Sequence, residues 1–204
     1  MPALDYVERA LSWAFANAKA RDAKLFTKGP AFADHPKPTI HITSPECGDS
    51  PAELSAKHSA VGDGLFPDLR WTHPDGPLAE YLLICEDADV PLPAPVNHGA
   101  FIGIAPSTTS VSSADVEPLN DPQKPFALRG GFWYGKTLRS VPYVPPRPLL
   151  GHGPHRYFYE LIALSEPLGL RPDPNNPVTR DMLAEAIKGK VSAWGEWIGS
   201  YERK

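Results

Sequence analysis

Proline occupies 25 of the 204 positions, more than twice the ~5% of an average chain, and 16 glycines punctuate the same stretches. Proline lacks a backbone donor and breaks helix interiors, so long helices are confined to the few windows without it. Short strands joined by many turns are what such a chain can build. Its length suits one domain with a real core, and 42% hydrophobic with 22% charged residues lies in the globular range. The run of short strands, with helical patterns near both ends, predicts a mostly β fold with peripheral helices.

Leu4, Val7, Leu11, Ala14, Phe15 and Ala18 recur at helical spacing. They predict a helix over residues 4–24 that docks its apolar stripe on the domain's own core. Residues 28–38 read as an extended connector, so residues 1–38 form a helix and connector packed on a domain of residues 39–204. Within that domain, strands are predicted over residues 39–43, 54–58, 69–72, 81–85, 98–104, 157–164 and 191–201. Residues 106–125 read as a polar surface excursion. Thr179 can cap a helix reaching about Lys188, with Asp181 in its first turn and Gly189 as its stop.

The net charge of −4 and the lack of a dense Lys/Arg cluster argue against nucleic acid or an anionic membrane surface as partner. No run approaches the ~18 apolar residues needed to span a bilayer, and the charged N-terminus lacks the form of a secretory signal. Cytoplasmic residence is therefore expected. Two cysteines, Cys47 and Cys85, are too few for a disulfide framework and are expected as free thiols. The chain has no nucleophile elbow, P-loop or dinucleotide fingerprint, and no cofactor is expected.

Chemistry concentrates in two stretches. The first is Cys85-Glu86-Asp87-Ala88-Asp89-Val90-Pro91, with Asn97-His98 close behind it. In an extended segment Asp87 and Asp89 would share a face, and Pro91, Pro93 and Pro95 stiffen the loop beyond them. A returning strand could set His98 beside these acids, and a nearby carboxylate favours the protonated, anion-binding imidazole. The second stretch is Gly151-His152-Gly153-Pro154-His155-Arg156-Tyr157. His155 and Tyr157 lie two apart and are expected to face one pocket, with Arg156 turned away into a structural ion pair. His152 could supply a third imidazole. Pro142, Pro145, Pro146 and Pro148 would form a rigid pocket wall, or else a polyproline ligand for an SH3-like partner. The three histidines and two aspartates could hold zinc by composition, but their spacing matches no metal pattern, and no metal is expected.

Together these stretches resemble the phosphatidylethanolamine-binding protein family, also called Raf-kinase-inhibitor-like proteins. The family's Asp-Pro-Asp-x-Pro turn and strand-leading His match Asp87-Ala88-Asp89-Val90-Pro91 and His98. Its Gly-x-His-Arg-Tyr signature matches Gly153 to Tyr157. The ending from Gly195 through Gly199 and Tyr201 to Arg203 is similar to the bacterial-type branch, and the Cys-Glu-Asp-Ala-Asp form to its fungal members. Ala88 stands where the family has proline, a change expected to loosen the placement of Asp89. The C-terminal tyrosine that vertebrate members set near the pocket has no match.

The resemblance implies a central antiparallel sheet packed on a smaller second sheet, with a shallow anion pocket. It implies Asp87, His98, His155 and Tyr157 as lining, with Asp89 and Pro91 shaping the rim and Gly153 in the ligand-binding loop. The implied ligand is phosphate or a phosphorylated head group such as phosphoethanolamine, with a kinase or protease as a possible protein partner. An enzyme reading stays open beside it: Asp87, His98, His155 and Tyr157 as acid–base groups in an isomerase or cyclase acting on a small metabolite. A deep apolar cavity would favour the enzyme, and a shallow polar cup the head group.

Overall fold

The computed structural model describes residues 3–204. In chain order the elements are α1 (Ala3–Ala14), β1 (Ile42–Ser44), β2 (Gly48–Asp49), β3 (Ala52–Glu53), β4 (Leu69–Trp71) and β5 (Glu80–Asp87). Next come β6 (Val96–Ile104), β7 (Ser110–Val111), β8 (Trp133–Tyr134), β9 (His155–Leu164), α2 (Arg180–Ala186) and β10 (Val191–Tyr201). The larger sheet runs β3-β10-β9-β5-β6-β8 and the smaller one β2-β1-β4-β7. All pairings are antiparallel except β10 with β3. This is the mostly β, two-sheet architecture expected.

The central strands β5 and β9 of the larger sheet bury both faces, as their near-continuous apolar runs require. One face carries Leu83, Cys85, Phe101, Tyr159 and Trp197, packed against Ile42 and Trp71 of the smaller sheet. The opposite face carries Leu82, Ile84, Ile162 and Trp194, covered by Phe26, Phe32 and α2 residue Leu183. Thr179 caps α2, its Oγ1 accepting from the Met182 N–H at 3.3 Å. Both cysteines are free thiols.

Several local expectations change. Residues 54–58 hold a 3-10 turn at Ala56–His58 instead of a strand, and residues 28–38 contain the 3-10 turn Pro30–Phe32 instead of an extended connector. The predicted first strand shifts to Ile42–Ser44, with Ile40 and Ile42 both buried. The larger correction concerns α1, which ends at Ala14. Beyond it, Ala20 takes φ of 60°, and the N–H groups of Ala20 and Arg21 donate to Asp89 and to the Ala88 carbonyl. Tertiary partners thus capture backbone donors that a continuing helix would need for itself.

The docking face of α1 is also reversed. Its apolar stripe faces solvent: Leu4, Val7 and Leu11 are exposed, and Trp13 is 85% exposed. The buried side holds Glu8 and Ser12. Glu8 accepts from Arg147 at 2.8 Å and Arg203 at 2.6 Å, and Ser12 Oγ donates to the Leu150 carbonyl at 2.8 Å. Burial alone would raise the Glu8 carboxyl, but the two guanidiniums and the Leu150 N–H outweigh it and hold it below the usual range. An ion-pair latch, not hydrophobic burial, fixes this helix. Among the described residues, no helix is long and apolar enough to cross a membrane.

Candidate functional site

Three adjacent strands of the larger sheet converge on one hollow. Asp87 ends β5 and lies directly opposite Tyr157 near the start of β9. His98 stands on β6, where the register with β5 shifts between Cys85 and Glu86. Because alternate residues share a face, Cys85 and Asp87 look the same way as His155, Tyr157 and Tyr159. Arg156 and Glu86 look the other way. The hollow has a volume of about 320 Å³. Asp87, His98, His155 and Tyr157 form its polar floor, Pro91 and Leu92 stand on one side, and Val144, Pro145 and Pro148 form the opposite wall. The proline arm is thus a wall of the hollow.

The floor is a fixed hydrogen-bond chain. His152 Nε2 lies 3.0 Å from the Phe15 carbonyl, so that nitrogen must donate. His152 Nδ1 then accepts from His155 Nε2 at 2.8 Å, and His155 Nδ1 shares a proton with Asp87 Oδ2 across 2.8 Å. The remaining Asp87 oxygen accepts the Asp89 N–H at 2.8 Å. Both His155 nitrogens are therefore spent inside the protein. His155 braces Asp87, and His152 sits behind it, outside the lining.

His98 and Tyr157 are the floor groups left with unspent capacity. His98 Nδ1 donates to the Val144 carbonyl at 2.6 Å, which leaves Nε2 as a lone pair without a protein partner among the described residues. Burial lowers the His98 pKa from 6.5, outweighing the Asp87 carboxylate that would raise it, and nearby Arg139 lowers it further. The protonated imidazole expected from the sequence is thus the neutral form near pH 7. The Tyr157 hydroxyl is buried and makes no hydrogen bond of normal geometry, with the Asp87 carboxylate its nearest acceptor. Burial holds that phenol well above its usual pKa, and the nearby Asp87 charge adds to the effect, so it stays a donor.

Two expected site residues lie outside the lining. Asp89 turns away from the hollow because the chain bends after β5. Its oxygens accept from Arg156 Nε at 2.8 Å, Arg156 Nη2 at 2.9 Å, the Arg156 N–H at 2.9 Å and the Ala20 N–H at 3.0 Å. Ala88 does not loosen it. The Ala88 N–H donates to the Arg156 carbonyl at 3.3 Å, a bond that proline could not make. Gly153, with φ of +84°, is also absent from the lining and serves the turn into β9. Conversely, Arg139 and Arg147 line the hollow and were not anticipated. Arg147 is paired with Glu8, whereas exposed Arg139 has no ion-pair partner among the described residues. Only an arginine just before the proline arm and another within it could have signalled them.

With a paired-sheet fold and this motif-bearing hollow, the class is defined: the phosphatidylethanolamine-binding protein family model matches residues 44–202, and the chain belongs to that family. It is 41% identical over 202 residues to a protein of a fungal species named phomoidride biosynthesis cluster protein B, covering 98% of this chain and 95% of the relative. A protein of the same name from Talaromyces stipitatus is 39% identical over 205 residues, covering 98% and 84%. Among solved structures, an Escherichia coli member of the family superposes with a TM-score of 0.67 at 19% identity, covering 81% of this chain and 99% of the other. A Chlamydia trachomatis homolog gives 0.62 at 24%, covering 82% and 100%. These two likenesses bear on the fold alone.

Proposed function

We propose that the hollow binds a small molecule carrying an anionic oxygen on an apolar body. The unpartnered Tyr157 hydroxyl carries this reading. A buried hydroxyl without a bond costs about 1–3 kcal/mol, a cost relieved when the lining shifts enough for a ligand oxygen to reach a hydroxyl that is closed to solvent in the empty hollow. Arg139 supplies the countercharge at the rim, and the His98 lone pair accepts from a ligand N–H or O–H. A phosphorylated head group satisfies all three: its phosphate faces Arg139 and Tyr157, and its ammonium faces His98 and Asp87. The walls are mostly apolar, so a carboxylate on a hydrocarbon frame fits the same points.

A second reading is favoured by the protonation states. Neutral His98 with a free lone pair is a competent general base, and Tyr157 a competent general acid, across one hollow. Two fungal relatives bear the name of a biosynthesis cluster protein, which supports an acid–base isomerase or cyclase acting on a small metabolite.

Calorimetric titration of the wild type, Tyr157→Phe and Arg139→Ala with phosphoethanolamine and with octanoate tests the binding. Loss of either donor should weaken binding about 10-fold or more, as for hydrogen bonds to charged groups. Tighter phosphoethanolamine binding selects the head group, and tighter octanoate binding selects an apolar carboxylate. Unchanged affinity in both variants, or no binding of either compound, overturns the site.

A further inference from the structure

A second cluster lies apart from the hollow, where the β1–β2 turn meets the 3-10 turn Ala56–His58. Glu46, Cys47 and His58 each point one ligand atom inward, all within 4.8 Å of one another. His58 is 1% exposed, and its Nδ1 lies 3.1 Å from the Leu65 carbonyl. A carbonyl only accepts, so Nδ1 carries the proton and a neutral ring presents a lone pair at Nε2. That lone pair faces Cys47 Sγ at 3.5 Å and Glu46 Oε1 at 3.5 Å. A lone pair opposed to a carboxylate is repulsive unless a positive charge stands between them.

We propose that Glu46, Cys47 and His58 form a site for a zinc-like divalent cation, with solvent in the fourth position. Zinc bonds of about 2.3 Å to sulfur and about 2.0–2.1 Å to nitrogen or oxygen set tetrahedral ligand atoms about 3.3–3.6 Å apart. The two 3.5 Å separations match those edges, and the thiol-to-carboxylate edge lies within 4.8 Å. One thiolate, one imidazole and one carboxylate suit zinc better than the oxygen-seeking magnesium or calcium. The outer contacts are those that orient metal ligands. The Leu65 carbonyl fixes the imidazole tautomer, the Asp68 N–H holds Glu46 Oε1 at 3.1 Å, and Ser44 Oγ accepts the Cys47 N–H at 3.3 Å. Lys57 pairs with Glu46 Oε2, leaving Oε1 to face the cluster. The Glu46 side chain is 28% exposed, which gives water access to the remaining position.

A bound ion would tie the edge of the smaller sheet to the segment that carries Ala60, a residue lining the hollow. A metal takes the thiolate, so uptake at Cys47 releases a proton. The competing occupant is a proton, on His58 Nε2 or in a Cys47 S–H···Nε2 hydrogen bond across the same 3.5 Å, and the experiment separates metal from proton.

The test is Co²⁺ titration of the reduced full chain, monitored by near-ultraviolet absorbance, with Zn²⁺ displacement. The expected result is one equivalent of Co²⁺ giving a thiolate-to-cobalt charge-transfer band that Zn²⁺ abolishes. Cys47→Ser should lose the band, Cys85→Ala should keep it, and Glu46→Gln should weaken binding at least about 10-fold, a loss that even outer partners of a metal site produce. Zn²⁺ should raise the melting temperature of the wild type and not of Cys47→Ser. A wild type without the band, or a band that survives in Cys47→Ser, overturns the site and leaves the proton as occupant.

Discussion

Asp89→Ala should be among the most damaging single changes near the hollow, although Asp89 does not touch it. The Asp89 side chain is 5% exposed and accepts four hydrogen bonds, three of them from Arg156. Arg156 is 37% exposed and keeps Asp22, so the loss is that of the buried carboxylate's hydrogen bonds, about 1.5–3 kcal/mol. For a chain of this size that lowers the melting temperature by about 3–12 °C, at about 2–4 °C per kcal/mol. Asp22→Ala removes the second partner of the same guanidinium, but those side chains are 37% and 41% exposed. An exposed pair is worth about 0–1 kcal/mol. Urea unfolding of the two variants beside the wild type measures the difference. Burial alone would raise the Asp89 carboxyl, but Arg156 and the Ala20 N–H hold it below the usual 3.8. Its contribution is therefore present above that value and fades as pH falls through the lower folded pKa, so the penalty of Asp89→Ala should shrink in acid. Equal losses in the two variants, or a loss below about 1 kcal/mol for Asp89→Ala, would refute the reasoning.

The same geometry makes three other outcomes testable. Glu160 is fully buried, and burial with the neighbouring Glu86 charge pushes its pKa up to about 8. Its folded pKa exceeds the usual 4.5, so its contribution is present in acid and lost as pH rises toward 8; Glu160→Gln should flatten the decline of the urea midpoint between about pH 5 and about pH 8.5. Trp13→Ala on the exposed face of α1 should change stability by no more than about 0.5 kcal/mol, whereas Glu8→Ala should undock the helix and abolish amide-exchange protection over residues 4–14. Phosphoethanolamine affinity should be flat near neutral pH and fall only below the ordinary imidazole value of 6.5, as His98 Nε2 gains a proton and loses the lone pair that faces the ammonium; calorimetry across that range would contradict this if affinity rose in acid.

The sequence by itself determined the long strands of the larger sheet and the residues at their ends. Apolar runs marked β5, β6, β9 and β10, because a strand buried on both faces has little choice of composition. The period of two placed Tyr157 and His155 on one face and Arg156 on the other, and that alternation held through the ladder. Tertiary structure decided what each polar group is free to do. The turn after β5 spends Asp89 on Arg156, and His152 spends the second nitrogen of His155. The hydrophobic stripe of α1 could not reveal that an ion pair would win its docking face, since Arg147 and Arg203 arrive from positions 139 and 195 residues away. Arg139 and the Glu46, Cys47 and His58 cluster were invisible for the same reason. Local pattern records which face a residue takes, while the partner it meets there depends on chain that returns from far along the sequence.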